Sequence, residues 1–179
     1  MKLPSDPGWG YPDNHPVVKV SWDDILNPGG FCEWASDIAK VKLTLPTDAQ
    51  WEYAARGGKD GLEFPWGNTF ERSRVWCSTS MGDAGKTAAV NRQTRIYKNG
   101  YNLTDMVGNV WQWCSDYYNE GQSPKGKDPV DSKLSARRRV RGGCWFDEGS
   151  ISFRCASNGG ADRFDAHNFN GFRLCSSVS

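Results

Sequence analysis

Past Gly58 the chain never sustains an apolar pattern with a helical period. Its hydrophobic residues come instead in short runs: NVWQWC at 109–114, RVRGGCW at 139–145, ISFRCA at 151–156 and GFRLC at 171–175, divided by glycines and polar turns. Runs of that length suit short strands and long ordered loops rather than helices. Scarcity of Val, Ile, Leu and Phe would point to disorder if the net charge were high, but here it is only +1 and aromatic residues make up 13% of the 179 positions. A core built around rings follows, because each ring can bury roughly 150–250 Å². Two helices precede the loop-rich part. Over 30–40, Phe31, Trp34, Ala35 and Ile38 recur at spacings of three and four and form one apolar face. Over 48–56, Thr47 can cap the first turn, Asp48 suits its dipole, and Gly57 supplies a left-handed stop. The class read from this pattern is α+β, with two helices early and a sheet late.

No window is long and apolar enough to span a bilayer, and Met1 to Gly10 has no apolar run of the kind a signal peptide needs. With 22 basic and 21 acidic residues there is no global field to attract nucleic acid, so neither nucleic-acid binding nor membrane insertion is expected. Arg137, Arg138, Arg139 and Arg141 form a local basic run after the loop 122–128, read as a solvated strand end rather than a phosphate site. The six cysteines form no CxxC pair, and His15 and His167 lie far apart, which argues against zinc. Mostly buried thiols are expected, with one or two disulfides left open. Neither histidine has an evident nucleophile nearby and no phosphate-cradling glycine loop is present.

Read in order, HPVVKVSWDD, FCEWAS, LTLPTDAQWEYAARGG, FPWGN, DMVGNVWQW, RVRGGCW and NGFRL resemble the formylglycine-generating enzyme and sulfatase-modifying-factor family, a variant of the C-type lectin fold. The likeness implies one C-type lectin-like domain over 15–179 preceded by an extension at 1–14, with NPGG at 27–30 as an insertion. It also implies two copper-binding cysteine thiolates after the RGGSW-like block, for which Cu(I) is the fitting metal. Here those positions hold Asp147 and Ser152. Cys144 stands in place of the family serine, and Cys155 lies on an apparent framework strand. No catalytic residues and no cofactor are therefore expected; an atypical metal-dependent oxidase with relocated ligands is the enzyme-class alternative. The family's calcium loop maps to Asp105, Met106, Gly108, Val110 and Gln112, and because Gln112 replaces a glutamate, calcium there stays open.

The stretch 146–170, FDEGSISFRCASNGGADRFDAHNFN, is the odd one. It mixes Phe, Arg, His, Asp, Asn, Ser and Gly without a period, and exposed phenylalanines waste apolar area unless something covers them. Within the resemblance, one branch consists of ligand-binding variable proteins diversified by retroelements. In that branch randomised asparagine codons never yield Lys, Glu, Gln, Met or Trp. Those five types fill a fifth of the positions elsewhere, yet 146–170 contains only Glu148. The expected function is thus a non-catalytic domain presenting a hypervariable, paratope-like surface, with Phe146, Asp147, Ser152, Arg163, Phe164, Asp165, His167 and Phe169 as ligand contacts. The expected partner is a protein ligand, with carbohydrate as an alternative; a fixed accessory module of a surface or phage assembly is a third reading. Trp145, Arg154, Ala156, Gly171, Phe172 and Leu174 read as scaffold. Arg154 and Arg173 read as strand-borne guanidiniums satisfying loop carbonyls. Phe153 stands open between core and site.

Overall fold

The computed structural model describes residues 4–78, 85–90, 97–121 and 126–176. Three α-helices lie in the first third of the chain: α1 (Trp22–Leu26), α2 (Phe31–Ala39) and α3 (Asp48–Arg56), with the first strand between the last two. The strands are β1 (Leu43–Thr44), β2 (Trp111–Tyr117), β3 (Arg137–Arg141), β4 (Asn158–Asp162), β5 (Asn170–Gly171) and β6 (Cys175–Ser176). Four of them form a sheet in the order β4-β3-β2-β5, antiparallel except for the parallel β2–β5 pair, while β1 and β6 pair separately.

The helix ends are written in side chains. In α3, Thr47 Oγ1 accepts from Gln50 N (3.1 Å) while Gln50 Oε1 accepts from Thr47 N (3.0 Å), and Gly57 closes the helix at φ +62°. The same reciprocal cap, Ser21 with Asp24, starts α1. Sequence reading passed over α1 because five residues are too few to show a period. In α2 the apolar face is rotated from the one expected: Cys32 and Ala35 are buried, but Trp34 is 49% and Ile38 69% exposed. The helix docks through its Cys32–Ser36 side, where Ser36 Oγ donates to Cys32 O (2.6 Å) and accepts from Leu43 N (2.9 Å).

Two ring-rich cores flank the sheet. Successive side chains of β2 point to opposite faces. Trp113 therefore joins Val20, Trp22, Ile25, Leu45 and Val140, while Cys114 joins Trp51, Phe64, Val75, Met106 and Phe153. Phe153, which the sequence left open, is core.

The arginine run is a correction. Only Arg137 is exposed; Arg138, Arg139 and Arg141 are buried. Strand alternation divides them between the two faces. Arg138 is clasped between the rings of Trp22 (3.7 Å to the centroid) and Tyr117 (3.6 Å), and Nη1 donates to Ser115 O (3.1 Å). On the other face, Arg139 lies 3.5 Å from Asp48 and 3.6 Å from Asp131. Arg141 donates to Asp48 Oδ1, Glu52 Oε2 (3.1 Å), Cys155 O (2.9 Å) and Ser157 O (3.1 Å). A run that reads as solvated is thus buried because α3 and residue 131 bring acids to it.

The late strands are also shifted from expectation. Residues 150–153 form a 3-10 turn, and the strand comes afterwards, over Asn158–Asp162. The run 171–175 splits between β5 and β6. All six cysteines are free thiols, five of them buried and Cys175 half-buried.

Candidate functional site

The site begins where β3 ends. Gly142 and Gly143 both take left-handed conformations, φ +96° and +71°, and throw the chain off the strand. A Cβ on Gly142 would sit 2.6 Å from Met106 O, so only glycine passes there without strain. The chain then enters 146–170 and returns at β5, and both ends are tied to one stretch of backbone. Trp145 N donates to Asn109 O (2.9 Å), and Trp111 N donates to Phe169 O (2.8 Å). Asn109 is itself buried and exchanges two hydrogen bonds with the backbone of Ala88. A long loop is in this way held at its base like a rigid insert.

Within it, Phe146, Phe169 and His167 come together. Phe146 is 61% exposed and stacks on Phe169 (centroids 6.2 Å, 24°), which stacks on His167 (4.8 Å, 12°). Trp145 lies against Phe146 from below (6.0 Å, 66°), and its Nε1 donates to Asn168 O (3.2 Å). Asp165 links this row to Phe164: its carboxylate is 3.7 Å from His167 Nε2 and accepts from Asp162 N (3.1 Å), and the neighbouring Phe164 is 71% exposed. Arg163, half-buried, is paired to α1. Its Nε and Nη2 grip Asp23 at 2.7 and 2.8 Å, and its guanidinium lies between the Trp22 and Phe164 rings (5.6 and 5.3 Å).

Asp147 and Ser152 stand apart from the rings. Asp147 closes a turn, its carboxylate accepting from Cys144 N (2.8 Å) and its carbonyl from Ser78 N (3.2 Å). Ser152 lies half-buried in the 3-10 turn beside Gly143. Neither supplies sulfur. Burial pushes the nearby thiols of Cys144 and Cys155 up to about 12 and about 11. This donor set does not fit a two-thiolate copper site. Among the described residues no group of three or more His, Cys, Asp and Glu side chains is placed to hold a metal ion.

The calcium-loop carbonyls are engaged by cationic and amide donors. Arg173 Nη2 donates to Thr104 O (3.1 Å) and Asp105 O (3.0 Å), and Gln112 Nε2 donates to Asp105 O (3.0 Å) and Met106 O (3.3 Å). Gln112 Oε1 in turn accepts from Trp51 Nε1 (2.8 Å) and Arg173 Nε (2.5 Å). Arg173 thus satisfies loop carbonyls as read, although it lies between β5 and β6 rather than on a strand. Arg154 does not: it is off the strand, facing Glu63 at 3.7 Å, with both side chains 46% exposed. Ala156, read as scaffold, is exposed. A cleft of about 420 Å³ opens beside α3, but the guanidiniums of Arg56 and Arg141 that line it are already bound to Glu52 and Asp48.

Sequence reasoning missed Ile151, which is 68% exposed in the middle of the segment, and Trp9, which packs edge-on against Trp145 (5.8 Å, 90°). Ile151 looked like a strand residue. Trp9 lay in what read as an extension, and no local pattern ties it to Trp145.

Residues 4–178 match the sulfatase-modifying factor enzyme 1-like domain. A formylglycine-generating enzyme from Thermomonospora curvata is 37% identical over 163 residues, covering 81% of this chain and 50% of that protein. An inactive C-alpha-formylglycine-generating enzyme 2 from Mus musculus is 36% identical over 185 residues, covering 92% and 56%. The chain spans about half the length of these relatives. Among solved structures, Treponema denticola variable protein 1 superposes with a TM-score of 0.75 at 22% identity, over 96% of this chain and 74% of that one. At that identity the likeness bears on the fold, which is the C-type lectin-like variant expected from the sequence.

Proposed function

The chain belongs to the sulfatase-modifying factor enzyme 1-like family, and from that premise we propose that it is a non-catalytic member whose residues 146–170 present a variable surface to protein ligands. The observation that carries this reading is the ring row of Phe146, Phe169 and His167, with Phe146 and His167 exposed and Phe169 half-buried between them, on a loop whose base is clamped to residues 109–111. Exposed apolar area on a rigid base is what an interface leaves visible when its partner is absent. The absence of sulfur at Asp147 and Ser152, and the near absence of Lys, Glu, Gln, Met and Trp from the segment, support the same reading. A relative named inactive and a fold neighbour named a variable protein are in keeping with it. A protein rather than a sugar is favoured because stacked rings beside Ser, Asn and Gly resemble a paratope.

The test is selection of a random dodecapeptide phage library on the intact chain. Peptides that bind are expected to lose affinity roughly tenfold or more when Phe146 or Phe169 becomes Ser, as for anchoring rings at an interface centre. Selected peptides indifferent to both substitutions would contradict the proposal. The enzyme reading, favoured by the formylglycine-generating relatives, makes the opposite demand: copper-dependent oxidation of a substrate cysteine thiol, lost when Cys144 or Cys155 is replaced.

A further inference from the structure

Residues 4–14 are laid against the ligand surface instead of trailing from the domain. Asp6 Oδ1 accepts from Gly8 N (2.7 Å) and Gly10 N (3.0 Å), folding the arm into a tight loop closed by a hydrogen bond from Tyr11 to Ser5 O. The loop is fastened to the far end of the variable segment. Pro7 is buried and its carbonyl accepts from Asn168 Nδ2 (3.4 Å); beyond the loop, the chain is held by Asn14 O accepting from Val90 N (2.8 Å) and, past the arm, by Lys19 N donating to His167 O (3.0 Å). These contacts deliver Trp9, half-buried, to the edge of Trp145. The rings then run continuously from Trp9 through Trp145, Phe146 and Phe169 to His167.

Resting on the protein-recognition reading, we infer that this arm is part of the ligand surface and that Trp9 is a fixed contact residue for every version of the variable segment. Tryptophan is among the side chains most often found to anchor interfaces, and the segment itself contains none. A framework tryptophan at the end of the row supplies that anchor whatever the loop sequence. Because the Asp6 turn and the edge contact with Trp145, both outside 146–170, hold the arm in place beforehand, little ordering entropy is lost when a partner lands on it.

The experiment uses peptides selected from the dodecapeptide library on the intact chain, tested against Trp9→Ala, Trp9→Phe, Phe146→Ser and Phe169→Ser, with thermal melts confirming that each folds. A photo-reactive benzoylphenylalanine at position 9 reports direct contact. The inference expects Trp9→Ala to weaken binding roughly tenfold, Trp9→Phe to weaken it less, and the probe at position 9 to crosslink bound peptide. Binding within about twofold of the parent in Trp9→Ala, with Phe146→Ser and Phe169→Ser still disruptive, overturns the inference and leaves the wider reading standing. Weakened binding without crosslinking also overturns it, since Trp9 would then act only by positioning Trp145. If all four substitutions are without effect, or the library yields no binder, the protein-recognition reading falls, and the inference with it.

Discussion

Replacing Arg141 by Met is expected to be among the most destabilising single changes in this fold. The side chain is 2% exposed and makes hydrogen bonds to Asp48, Glu52, Cys155 O and Ser157 O. Without the guanidinium, Asp48 keeps Arg139 at 3.5 Å as its remaining cation, and Glu52 keeps Arg56 at 2.6 Å. The two carbonyls lose the donor that ties the 3-10 turn and the start of β4 to the sheet. Breaking a buried, hydrogen-bonded ion pair from one side costs about 3–5 kcal/mol. The carbonyl losses belong to the same network, so they are not added separately. At roughly 2–4 °C per kcal/mol for a chain of this size, the melting temperature should fall by about 6–20 °C. Arg141→Lys should recover only a minor part, because an ammonium cannot reproduce the planar fork. Arg154→Ala is the control: its partner is 3.7 Å away with both side chains 46% exposed, so the change should be under about 1 kcal/mol. Thermal and urea denaturation, monitored by tryptophan fluorescence, measure all three. A shift below about 3 °C for Arg141→Met, or equal shifts for Arg141→Met and Arg154→Ala, would refute the buried-network argument.

Three further outcomes are expected. In the native protein Cys144 and Cys155 should resist a disulfide exchange reagent at neutral pH, since burial raises both thiols to about 12 and about 11, and should react on unfolding; rapid native labelling of either, located by mass spectrometry, would contradict this. Burial raises the Asp116 carboxyl above its ordinary value, so its folded state holds a proton more readily than the unfolded chain; the stability this confers is present at low pH and lost as pH rises through the raised value. The melting temperature of the parent relative to Asp116→Asn should therefore climb as pH falls from neutral through the carboxylate range, and a difference that stays flat or shrinks would be contrary. Gly142→Ala, with φ +96° and a Cβ 2.6 Å from Met106 O, should lower stability by about 1–3 kcal/mol in urea titrations, whereas Gly149→Ala, which meets nothing within 4 Å, should not.

What could be read from the sequence was what short-range chemistry writes there. The α3 cap is spelled by Thr47, Gln50 and Gly57, and the ring row could be suspected because Phe146 and Phe169 have no periodic reason to be where they are. The buried arginines could not be read, because nothing local announces that Asp48, Glu52 and Asp131 converge on them from distant parts of the chain. The partner of Arg163 could not be read for the same reason: Asp23, which grips it, is 140 positions away. Trp34 and Ile38 show the converse error, since an apolar period identifies a helix but not which of its sides the neighbouring strand will cover.

The central claim is that residues 146–170 vary on a fixed framework, and DNA sequence around the coding locus tests it most directly. The account predicts a near-copy of the stretch encoding Arg141 to Leu174 that differs mainly at adenines, with a reverse-transcriptase frame close by. A locus lacking such a repeat, with the segment identical in sibling copies of the gene, would contradict it.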